Sequence, residues 1–115
     1  MLVQVKTDNH VEGTEKLQNW VTEHVTAALD RFSPQLTRAE VFFSDRNSHK
    51  TAEGDKQCTL EVRLAGLDPI AVTKNANELD VALDAALDAM TITLDSRLEK
   101  QQQKKGRTPM GGAPE

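Results

Sequence analysis

Cysteine and aromatic residues are the scarcest features of this 115-residue chain, which has one cysteine, one tryptophan, three phenylalanines and no tyrosine. Cys58 alone cannot close an internal disulfide, so the chain has the look of a cytoplasmic protein. Of the four aromatics, only Phe42 falls in the outward phase of an expected strand, so no aromatic platform for stacking bases is available. Positive charge is not in excess either. The chain carries 14 Lys+Arg against 18 Asp+Glu, for a formal charge of −4, which excludes a uniformly basic coat; DNA is not an expected partner. No apolar run approaches the ~20 residues of a membrane-spanning helix. Nor does a basic segment after Met1 lead into a long apolar stretch, so neither a secretory signal nor a membrane partner is expected. Motifs of the GxGxxG, P-loop, CxxC, HExxH and GxSxG types do not occur.

What is present is unevenly placed. Residues 1–96 hold 9 Lys+Arg and 16 Asp+Glu, a net −7, while residues 97–115 hold five cations against two acids, a net +3. An acidic body therefore carries a basic end. The last thirteen residues have two prolines, three glycines and almost nothing apolar. Such a segment buries too little surface to offset its ordering entropy. The expected organisation is one domain over 1–102 and a disordered basic tail over 103–115.

Within the body, Val3 and Val5 alternate with polar neighbours and predict a short strand over 2–6. Thr14 is a candidate N-cap. From there Leu17, Trp20, Val21, Val25, Ala28, Leu29 and Phe32 recur at three- and four-residue spacing, predicting a helix of about five turns that Ser33-Pro34 ends. Ala39, Val41 and Phe43 predict a second strand. A long charged connection follows over 45–56. Cys58, Leu60, Val62 and Leu64 alternate cleanly with polar residues as a third strand. Gly66–Pro69 reads as a turn, and 70–73 as a fourth strand. Leu79, Leu83, Ala86, Leu87, Met90, Leu94 and Leu98 predict a second helix from about 77 to 102. Each helix has one apolar stripe and each strand one apolar face. The expected fold is thus an α/β, β-α-β-β-β-α two-layer sandwich, with two helices packed on one face of a mostly antiparallel four-stranded sheet. Trp20, Phe32, Val41, Leu60, Val62, Leu83, Leu87 and Met90 are the expected core.

Catalytic chemistry is not indicated. His10, His24 and His49 are scattered over a turn, a helix and a loop. Cys58, in the inward phase of its strand, reads as a small buried hydrophobe rather than a reactive thiol. His49 and Cys58 lack the two further ligands that a metal site would need. Asp80, Asp84 and Asp88 form a ridge on one helix face, read as solvated, with Asp80 suited to the helix N-terminus. No enzyme activity, cofactor or metal is expected.

Three segments carry a family resemblance. Glu78-Leu79-Asp80-Val81-Ala82-Leu83-Asp84 is similar to a D-M-Y-x-A-I-D opening of a final helix. Leu36-Thr37-Arg38-Ala39-Glu40-Val41-Phe42-Phe43-Ser44 resembles a second strand closing on serine, and Val3-Gln4-Val5-Lys6-Thr7 fits the first strand. Over about residues 2–102 the chain resembles the ribosome hibernation-promoting factor and protein Y family, also called sigma-54 modulation proteins. The resemblance implies a double-stranded-RNA-binding-domain-like fold and a factor that binds the small ribosomal subunit under stress and restrains translation. The chain is too short to include the extra dimerisation domain of the family's long forms.

The resemblance also implies that cations on the outer helix faces grip ribosomal RNA. Here the first helix keeps only Lys16 and Arg31. Residues 78–96 hold no cation and five acids (Glu78, Asp80, Asp84, Asp88 and Asp95). The cations left for RNA contact are Arg31, Arg38, Lys50, Lys74, Arg97, Lys100, Lys104, Lys105 and Arg107, with small-subunit ribosomal RNA the expected partner. The alternative is a non-catalytic binding module of the same fold that has lost the RNA grip and meets a protein partner through the acidic helix face.

Overall fold

The computed structural model describes residues 1–9, 11–45 and 55–106, with side chains up to residue 100. The strands are β1 (Leu2–Thr7), β2 (Leu36–Asp45), β3 (Lys56–Leu64) and β4 (Ile70–Ala76), and the helices are α1 (Glu15–Ala28) and α2 (Leu79–Gly106). They form one sheet in the order β1-β2-β3-β4. β1 pairs with β2 in parallel, across the connection through α1, and the other two pairings are antiparallel.

Local chemistry sets the boundaries. Thr14 caps α1, its Oγ1 accepting from the Leu17 amide at 3.1 Å, which satisfies one of the orphan donors of the first turn. α1 is shorter than its apolar periodicity predicts. It stops at Ala28, and a separate 3₁₀ turn covers Asp30–Phe32, because the chain must bend ahead of Pro34 to enter β2. α2 departs in the other direction. Residues 103–106, expected in the tail, continue the helix to Gly106, since Gln101–Lys105 are all good helix formers and the first weak one is the glycine. β2 and β3 also extend further than expected. Asp45 and Lys56 are ladder partners and an ion pair at 3.1 Å, which closes the sheet at the mouth of the charged connection. Residues 46–54 of that connection lie outside the described residues. Gly66, at φ 77°, takes the left-handed conformation that the β3–β4 turn requires.

The core lies between the helices and one sheet face. Val21 and Val25 from α1, Leu29 just past its end, Val41, Phe43, Cys58, Leu60 and Val62 from the central strands, and Leu83, Met90 and Leu94 from α2 are all fully buried. Phe32 and Leu87 join them. Trp20 does not. It packs against the cluster but stays half-buried, because Val21, Val25 and Leu29 centre the buried stripe and Trp20 falls on its flank. There it meets His24, with ring centroids 4.6 Å apart and the ring planes tilted by 48°. It also lines an open cavity of about 450 Å³ with Val11, Leu17 and Leu79. The other sheet face is open to solvent and carries Phe42, 41% exposed. Among the described residues, no helix is long and apolar enough to cross a membrane.

Both helices start at the end of the sheet where β1 and β4 finish and run toward the end where β2 begins. α2, with 28 residues, measures about 42 Å at 1.5 Å per residue. β4 has seven and spans only about 23 Å. The last turns of α2 therefore project past the sheet.

Candidate nucleic-acid interface

Among the described residues, the cations singled out from sequence do not converge on one surface. Arg31, in the 3₁₀ turn, donates two bonds to Asp95 of α2, at 2.7 and 2.8 Å, and lies over the Phe32 ring at 4.2 Å. The bidentate pair raises the Arg31 pKa and lowers that of Asp95. Arg31 thus clasps the end of α1 to α2, and its charge is matched by that of Asp95. Arg38 is on the open sheet face, where it pairs with Glu40 and donates to Gln4. Glu40 also faces Lys6, at 3.9 Å. Lys74 is exposed on β4 opposite Cys58, five β3 residues, or roughly 17 Å, from the sheet end where Arg63 lies. Arg97 and Lys100 occupy the projecting end of α2, half-buried and exposed respectively. The backbone of Lys104 and Lys105 continues the same helix. Lys50 and Arg107 lie outside the described residues.

Register reveals one cation that composition hides. Arg63 is exposed on the open sheet face, directly opposite Arg38, beside a ladder irregularity between Leu36 and Arg38. It has no ion-pair partner among the described residues. Its signal in the sequence is only the outward phase of the third strand. The partnership with Arg38 follows from the β2–β3 pairing, which no local pattern specifies. The next row down, Glu40 opposite Glu61, offsets part of this positive charge.

The helix layer has the opposite character. Asp80, Asp84 and Asp88 are exposed along α2, and the Asp80 carboxylate accepts from the Val81 amide at 2.9 Å. Val81 and Ile92 on the same helix are 52% and 70% exposed. Between α1 and α2 runs a groove of about 660 Å³ lined by Glu23, His24, Ala27, Ala28, Asp84, Leu87 and Asp88. Phosphate neutralisation dominates RNA affinity, and the acids of this layer work against it.

Cys58 is fully buried, and that burial pushes its thiol up to about 12, far from the range of a nucleophile. Among the described residues, no three His, Cys, Asp or Glu side chains gather as a metal site would require.

The family model described as sigma 54 modulation protein / S30EA ribosomal protein matches residues 3–105. Among solved structures, the chain is similar to the N-terminal domain of Protein Y from Thermus thermophilus. The two share 25% identity and a TM-score of 0.61, covering 90% of this chain and 98% of that one. A ribosomal subunit interface protein from Coxiella burnetii has the same fold, with a TM-score of 0.68 at 14% identity, covering 86% of this chain and 99% of that one. No curated protein matches.

Proposed function

Because this chain belongs to the sigma 54 modulation protein / S30EA ribosomal protein family, we propose that it is a cytoplasmic, ribosome-associated factor that binds the small subunit under stress and restrains translation. It acts by occupancy, not catalysis. The observation that carries this reading is the span of the family match, which takes in all four strands, both helices and the projecting turns of α2. Supporting it is the concentration of cations in the last turns of α2 and the residues that follow, from Arg97 onward. In this reading Arg97, Lys100, Lys104, Lys105 and Arg107 supply most of the phosphate contacts. Arg38, Lys50, Lys74 and the register partner Arg63 add weaker ones, and Arg31 holds the helices together.

Sucrose-gradient sedimentation of a stationary-phase lysate tests the proposal. The protein is expected to travel with small-subunit-containing particles and to leave them as salt rises. A protein that stays at the top of the gradient at low salt would refute it.

A further inference from the structure

The groove between the helices is the feature that ribosome association leaves unused. Its apolar lining is Ala27 and Ala28 of α1 and the buried Leu87 of α2, flanked by Glu23 and His24 on α1 and by Asp84 and Asp88 on α2. Small residues on α1 keep the helices from interlocking, so their principal polar tie is the Arg31–Asp95 clasp at one end. The acids sit where they cost stability. Asp84 and Asp88 are like charges one turn apart, and Glu23 faces them across the groove. None of the three has an ion-pair partner among the described residues. A merely solvated face needs no apolar lining, and a merely apolar cleft needs no acids on both sides.

We infer that this groove docks a Lys/Arg-rich peptide segment of a protein partner, with aliphatic side-chain stems on the alanine–leucine lining and cationic heads on Glu23, Asp84 and Asp88. Charge complementarity fixes the chemistry of the occupant. From Leu79 to Ser96 the helix offers four acids and no cation, and of these only Asp95 is paired among the described residues, with Arg31, which favours a cationic peptide and repels RNA. Lysine and arginine suit both parts of the groove, since their stems cover apolar surface while their heads stay hydrated. Exposed ion pairs are individually weak, so the affinity is modest and falls with salt. The inference does not rest on the ribosomal reading.

The test uses the full chain and two synthetic helical peptides, one with a leucine stripe and a lysine face, the other with glutamate in place of lysine. Amide shifts in NMR titrations report the site. The lysine peptide is expected to move Ala27, Ala28 and Leu87, and the glutamate peptide to move none of them. Neutralising all three acids (Glu23→Gln, Asp84→Asn, Asp88→Asn) should weaken binding about tenfold or more, three exposed pairs being lost together. Ala27→Trp should abolish it with every charge intact. The paired change Asp84→Lys and Asp88→Lys should reverse the preference toward the glutamate peptide, a gain that misfolding cannot imitate. The inference is overturned if the lysine peptide leaves the groove amides unmoved, or if the charge reversal leaves the preference unchanged. Movement of those same amides when a single-stranded RNA oligonucleotide is added to the chain alone would likewise overturn it, in favour of RNA.

Discussion

At the scale of single residues, charge and burial divide the work. Cys58 sits in the inward phase of β3 and is fully enclosed. Its thiol, held up to about 12 by desolvation, stays protonated near neutral pH. A thiol reagent should therefore modify it slowly in buffer and rapidly in urea. Equal rates would contradict the register that buries it, because a one-residue slip exposes the whole inward set. Asp95 answers to pH instead. Its pKa in the folded chain is lowered from 3.8 by the bonds from Arg31, so the pair's contribution is complete above that value and is lost as pH falls through the lowered one. Asp95→Asn should lower the urea midpoint slightly at pH 7, and the gap from the parent chain should shrink as the solution is acidified below pH 3.8. A gap that widens in acid would mean that the clasp is not ionic.

The elements hold together through one stripe each. On α2, Ala82, Leu83, Ala86, Leu87, Met90 and Leu94 are buried, and this face alone packs on β3 and β4. Leu83→Ala removes a fully enclosed side chain from the middle of that contact and should cost about 2–5 kcal/mol, the transfer of the lost atoms plus the cavity left behind. Chemical denaturation would show it as a shifted midpoint at constant slope. An unchanged midpoint would mean that the stripe does not bear on the sheet. α1 gives a second lesson about elements. Its periodicity ran on through Phe32, and the break after Ala28 came from the demand that the chain turn into β2, a requirement set by the sheet rather than by the helix.

On the scale of the whole molecule the electrostatics are polarised. The body is acidic, and the cations gather where α2 leaves it. If ribosomal RNA is the partner, about four neutralised phosphates would give a log–log salt slope near −3 to −4. Deleting residues 101–115 removes Lys104, Lys105 and Arg107 and should flatten that slope by roughly 2 to 3. The fold should survive, since the buried cluster ends at Leu94. Ribosome binding that keeps its salt dependence after truncation would move the contact to Arg38, Arg63, Lys74 and the charged connection.

The sequence by itself determined the element order, the inward set of each strand, the cap at Thr14 and the split between acidic body and basic end. Each of these is written in neighbouring residues, as a period of two or 3.6, a side-chain oxygen placed to bond an orphan amide, or a count of charges. Tertiary structure alone decided which cations meet. Arg31 was legible as a surface cation, yet its partner Asp95 is 64 residues away, and only the packing of the two helices brings them together. Arg63 gained its place beside Arg38 through strand register, which depends on pairing between segments and not on either segment's pattern. Trp20 read as core because periodicity counts positions on a helix, whereas burial depends on which part of that face the sheet covers. The groove between the helices belongs to this second class as well, since no local pattern records the distance that two alanines leave between one helix and another.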